Sequence, residues 1–166
     1  MRRVLVICVA LIVLPTTYAY ADSNPYGISA IDPAGPNDVI LTVSSPISTK
    51  QYRASELYAL AKSTLTINEP FVKKVQSFSV IPLSTLFTKS RITARSSVET
   101  KALNDYMYTN VAATFLAAKG YLAVKLNGKP IPYDQGGPIR IIYPNTSMWS
   151  KFLDPWNWSL ISIVAK

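Results

Sequence analysis

The chain has 166 residues, with 17 Lys and Arg against nine Asp and Glu, one Cys and no His. One thiol excludes a disulfide within the chain, and the lack of His excludes metal sites built on imidazole. The formal charge of +8 is dispersed, densest at Lys73-Lys74 and Lys89-Ser-Arg91; it suits an ordinary solvated surface or a groove for an anionic ligand, and no nucleic-acid motif accompanies it.

Met1-Arg2-Arg3 is a basic start, Val4 to Leu14 an apolar run, and Ala19-Tyr20-Ala21 an A-x-A site. Residues 1–21 therefore read as a secretory signal peptide cleaved after Ala21. The apolar run is shorter than the ~20 residues of a membrane span. The expected location is periplasmic or secreted, with no stable membrane anchor after cleavage. Cys8 leaves with the signal, so the mature chain has neither Cys nor His and a net charge of +6. Only oxygen ligands remain for a metal, and neither a metal site nor a catalytic residue is predicted.

Residues 22–38 carry Pro25, Pro33 and Pro36 and read as an irregular lead-in. Residues 39–166 form a single domain. Val39 to Ser44 is a β-branched strand ended by Pro46. A short extended piece at 51–54 leads to a helix over 55–62, with Ser55 as N-cap and Glu56 at its positive end. Strands follow over 63–68 and 74–80, then a short helix over 82–87 with Pro82 in its first turn. A weak strand over 91–100 and a stronger one over 103–109 precede an Ala-rich helix over 111–119, closed by Gly120.

Tyr121 to Tyr143 is the most constrained stretch. A strand over 121–126 runs into Asn127-Gly128, which suits a tight type I′ turn. Pro130 and Pro132 remove two backbone donors. Gly136-Gly137-Pro138 makes a second turn, and a strand over 139–143 ends at Pro144. A loop over 145–155 and a last strand over 157–164 complete the chain. Strands with a few short helices predict an α+β fold, mostly β, with mixed or antiparallel sheets.

Several polar residues carry two readings each. Arg140 alternates with Ile139 and Ile141; its guanidinium can meet an anion, or it can lie on a solvent face or pin the loop by pairing with Asp134. Asn104-Asp105-Tyr106 can line a pocket or form a turn bonded to its own backbone. Asp134 reads as a turn residue. Trp149, Trp156 and Trp158 can stack on a flat ligand or close the core. Asn145-Thr-Ser147 and Asn157-Trp-Ser159 match the glycosylation pattern, which matters only on a eukaryotic secretory route.

The run Asn127-Gly-Lys-Pro-Ile-Pro-Tyr-Asp134-Gln-Gly-Gly-Pro138-Ile-Arg140-Ile-Ile-Tyr-Pro144 resembles a signature of the sulfite-oxidase-like, molybdopterin-binding oxidoreductase domain. Its glycines, prolines, Asp134 and Arg140 fall in register without a gap, and Gln135 stands where that family often has His. Phe78 to Phe87, Ala102 to Tyr106, Leu122 to Lys125 and Trp156 to Val164 resemble further segments, so the likeness covers most of 39–164. The resemblance implies that fold, a possible molybdopterin, and Asn104, Asp105, Tyr106, Gln135 and Arg140 as cofactor-binding positions. In the large enzymes of the family a cysteine thiolate holds molybdenum on a loop that corresponds by order to Asn68–Lys74. That loop has Glu69 and no Cys, so molybdenum held by the protein is not expected. The resulting expectation is a non-catalytic binding or accessory module for a pterin-like or small anionic ligand or an envelope partner. A molybdopterin-dependent oxidoreductase and a ligand-free structural envelope domain are the other readings.

Overall fold

The computed structural model describes residues 34–166; the expected signal peptide and most of the 22–38 segment lie outside them. The elements are β1 (Val39–Ser45), β2 (Ser48–Arg53), α1 (Ala54–Leu60), β3 (Ser63–Glu69), β4 (Lys74–Pro82), α2 (Leu83–Lys89), β5 (Ser97–Ala102), β6 (Met107–Val111), α3 (Ala112–Ala117), β7 (Tyr121–Leu126), β8 (Lys129–Pro130), a 3-10 turn (Tyr133–Gln135), β9 (Arg140–Ile142) and β10 (Leu160–Ala165). One sheet has the order β2-β1-β10-β5-β6. The other has β3-β4-β7-β8, with β9 also paired to β7. Only β1 and β10 run parallel among these pairs, so the first sheet is mixed and the second antiparallel. The expected α+β class, mostly β with few short helices, is the observed one.

Several boundaries move, each for a local reason. The extended piece expected at 51–54 is the full strand β2, hairpinned onto β1 across Pro46-Ile47. Helix α1 begins at Ala54, with Arg53 rather than Ser55 as N-cap. The Glu56 carboxylate accepts the Arg53 N–H at 2.7 Å. The carbonyls of Asp38 and Pro36 accept the Ala54 and Ser55 N–H groups, each at 3.0 Å. The lead-in backbone thus satisfies the first two N–H donors of a helix that starts one residue before Ser55. The expected strand over 91–100 starts only at Ser97, after turns at 88–91 and 93–96. Strand β6 starts at Met107 because Leu103 to Asp105 form the hairpin loop, with Asp105 at φ 65°. That is the left-handed position closing a three-residue loop. In the last element, Asn157 to Ser159 turn before β10 starts at Leu160.

Helix α3 ends at Ala117, two residues before the expected end at Lys119. Lys119 takes the left-handed conformation at φ 54°. Its N–H bonds the Leu116 carbonyl and the Gly120 N–H bonds the Phe115 carbonyl, each at 3.0 Å. This is a Schellman closure with Lys119 at the left-handed position. Gly120 is needed for space: a Cβ there would sit 2.7 Å from Leu83 Cδ1.

Alternation in β1, β4 and β7 directs Leu41, Val43, Phe78, Val80, Leu122 and Val124 inward, into one cluster shared by both sheets and the helices. Phe115 is its aromatic centre, edge-on to Phe87, Tyr108 and Trp149 at 5.5–6.3 Å. Trp149 and Trp156 close the core, and the Trp156 indole N–H donates to the Trp149 carbonyl at 2.8 Å. Tyr143 is fully buried and donates to the Pro155 carbonyl at 3.3 Å. Burial pushes its phenol pKa well above the ordinary value. A group whose folded pKa is raised stabilises the fold below its unfolded pKa, here about 10. The fold is therefore expected to lose stability as pH rises past that value. Absorbance titration should show one fewer tyrosine that ionises only with unfolding in Tyr143→Phe, and the loss should be smaller there. It should not vanish, because burial also raises Tyr52, Tyr58 and Tyr106.

Candidate functional site

The 69–73 turn between β3 and β4 is built on one carboxylate. Ile67 and Glu69 lie on the same inward face of β3, and both are buried. Glu69 Oε2 accepts the N–H groups of Phe71 and Val72 at 2.8 and 2.6 Å. Its other oxygen forms an ion pair with Arg140 Nη2. Both side chains are fully enclosed, at 1% exposure for Arg140 and 0% for Glu69. Arg140 thus belongs neither on a solvent face nor with Asp134. Residues 139–143 are buried on both faces of β9, so the alternation that put Arg140 opposite the isoleucines points it into protein.

Arg140 makes further contacts besides the ion pair. Its Nη1 donates to the Gln135 carbonyl at 3.3 Å. Its guanidinium lies 5.5 Å from the Phe78 ring and 5.4 Å from Trp158. Trp158 packs on Phe71 at 5.1 Å. Glu69, Phe71, Trp158 and Arg140 therefore form a closed ring of contacts. It ties the β3–β4 turn to β9 and to the turn before β10.

Two clefts flank this ring. The larger, about 540 Å³, is lined by Asn68, Glu69, Lys73, Lys74, Asn145 and Lys151, among others. Asn145 Oδ1 accepts the Asn68 N–H at 2.8 Å and so fixes the 145–153 loop against the edge of β3. The Glu69 carboxylate is neutralised from beneath by Arg140, which leaves the lining basic. The smaller cleft, about 300 Å³, is lined by Ala102, Asn104, Tyr106, Leu153, Asp154 and Trp158. Leu153 lines both clefts.

Four of the five predicted binding positions fall into two groups, and Asp105 belongs to neither. Asn104 and Tyr106 line the smaller cleft, where the Tyr106 hydroxyl donates to the Asp154 carbonyl at 2.9 Å. Burial, then the Asp154 charge, raises the Tyr106 pKa. Asn104 Oδ1 accepts the Tyr106 N–H at 3.3 Å, so it also shapes its own loop. Asp105 points outward to Lys101 at 2.8 Å, and this hydrogen bond lowers its pKa. Gln135 and Arg140 meet beneath the clefts, joined through the Gln135 backbone carbonyl. Trp158 links the two groups, contacting Arg140 and lining the smaller cleft. Of the two glycosylation-pattern asparagines, Asn157 is fully buried and Asn145 exposed.

Sequence reasoning missed Glu69 and Lys151. Glu69 had a signal: it continues the apolar face of Leu65 and Ile67, and an acid on an inward face needs a partner. Lys151 had none, because only the folded 145–153 loop brings it beside Lys73.

A comparison with curated protein sequences found no match. A comparison with known families matches residues 49–155 to the oxidoreductase molybdopterin binding domain. That span runs from β2 to the loop before β10. It contains Glu69, Arg140 and every lining residue of the larger cleft. The match covers well over half of the chain, and the chain therefore belongs to the oxidoreductase molybdopterin binding domain family.

Proposed function

We propose that this chain is an exported, non-catalytic binding module that takes a pterin-type or other small anionic ligand at the lysine-lined cleft. The observation that carries this reading is the occupied Glu69 carboxylate. Glu69 lies on the loop where the family resemblance places the metal-holding thiolate. Its oxygens are used by Arg140 and by two backbone N–H groups. The mature chain offers no thiolate or imidazole in its place.

The residues present fit one end of molybdopterin and not the other. Lys73 and Lys151, with Lys74 beside them, suit a phosphate or oxyanion. Asn104, Tyr106 and Trp158 offer hydrogen-bonding and stacking groups for a flat ring. A protein donor for molybdenum is what the loop lacks. Bound molybdopterin would supply dithiolene sulfur for a metal; the chain's own groups would hold its anionic end and exclude water. Export rests on the basic start, apolar run and A-x-A site of residues 1–21.

The test is purification of the mature protein from a host that makes molybdopterin, with assays for molybdenum and for the fluorescent oxidised pterin. Pterin without molybdenum is the expected result. Stoichiometric molybdenum would overturn the non-catalytic reading. Neither, with no thermal shift on adding phosphate or pyrophosphate, would favour a structural envelope domain.

A further inference from the structure

The sheet edges are guarded unequally. An open edge offers unpaired N–H and C=O groups, and proteins blunt such edges with charges, proline or a covering side chain. Strand β2 carries Lys50 and Arg53, both exposed. Strand β3 has its Asn68 N–H covered by Asn145. Strand β8 is Lys129-Pro130. Strand β6, Met107-Tyr-Thr-Asn-Val111, has no charge and no proline. It ends the first sheet, and it exposes Met107 and Val111 at 56% and 43%.

The ladder fixes which β6 groups face outward. Its ends are bonded at Ala102 N–H to the Tyr106 carbonyl and at Ala112 N–H to the Ser96 carbonyl, each at 2.9 Å. Antiparallel pairing alternates, so Tyr108 and Asn110 bond to β5, while the backbones of Met107, Thr109 and Val111 face away from it. The Val111 N–H is held by Asn110 Oδ1 at 2.8 Å. Among the described residues no other element pairs with this edge.

We propose that β6 is a self-pairing edge, at which two copies of this chain join antiparallel about a two-fold axis through Thr109. In that register Thr109 faces Thr109 of the second copy, Tyr108 faces Asn110, and Met107 faces Val111. Every facing pair is uncharged. The same operation on β2 would set Lys50 and Arg53 near their copies, where like charges repel. Thr109 exchanges both backbone bonds with its copy, and the Val111 N–H passes from Asn110 to the facing Met107 carbonyl. A five-residue edge buries less than the ~1,200 Å² of a stable interface, so the dimer is weak and depends on concentration. A strand from another protein is the competing occupant.

Sedimentation velocity on the mature chain, from dilute solution to about 1 mM, tests this. A monomer–dimer equilibrium is expected, and the Thr109 amide should gain hydrogen-exchange protection as concentration rises. Thr109→Lys sets two cations at the axis and should weaken association by about tenfold or more. Thr64→Lys adds the same charge on the β3 edge and should leave association unchanged. Circular dichroism confirms that each variant is folded, and Thr109→Val, which keeps the uncharged edge, should still dimerise if the lysine variant is not folded. Monomer throughout, or equal effects of the two lysine variants, would overturn self-pairing; a monomer that captures only foreign strands does so too.

Discussion

Arg140→Met is expected to lower the unfolding free energy by about 3–5 kcal/mol, because it leaves the Glu69 carboxylate enclosed without its counter-charge. Glu69→Leu should cost a similar amount, from the stranded guanidinium and from the loss of acceptors for the Phe71 and Val72 N–H groups. The informative variant removes both charges. Glu69→Gln with Arg140→Met keeps an oxygen for the two backbone donors and a side chain of similar length between Phe78 and Trp158. It should recover most of the loss, as neutral replacements of buried pairs often do. Urea denaturation of the four proteins measures this, with the slope serving as a check that the unfolded reference is unchanged. If the double variant is as unstable as either single one, the pair is not the source of the cost.

Gly137→Ala should do still more damage. A Cβ at Gly137 would lie 1.9 Å from the Ile131 carbonyl oxygen and 2.7 Å from that of Pro132, both backbone atoms. The Gly137 N–H is bonded to that same Pro132 carbonyl at 2.8 Å, so the two segments cannot separate freely. A loss of more than about 4 kcal/mol, or failure to fold, is expected. Gly128→Ala is the contrast. Nothing lies within 4 Å of a Cβ there, and only the positive φ of 79° opposes it, at a cost of about 1 kcal/mol. Thermal melts of the two variants should differ widely; similar melting temperatures would sink the account of the 131–138 loop.

These two sites show what the sequence reveals and what it hides. The Pro and Gly residues of 127–144 fix backbone geometry by their own chemistry, so the loop and the family were readable from them. The strand alternation of Leu65, Ile67, Phe78 and Val80 was readable for the same reason. Arg140 was not, because its partner stands 71 residues away and nothing local chooses between solvent, Asp134 and Glu69. Ser55 lies inside the helix because lead-in carbonyls hold its start at Ala54, which no pattern within the helix reports. The clefts are further out of reach: three loops must fold before Lys151 meets Lys73 and Leu153 joins the two cavities.

The parallel pairing of β1 with β10 has a consequence for how the chain is made. Strand β10 lies at the centre of the first sheet, between β1 and β5. The ribosome delivers it last of all the elements. Until Leu160 to Ala165 emerge, β1-β2 and β5-β6 are two separate hairpins with no strand between them. Closing that gap spans more than a hundred residues, the kind of long-range contact that slows folding. Completion of the first sheet therefore waits for the last strand of the chain, whatever hairpins have formed before it.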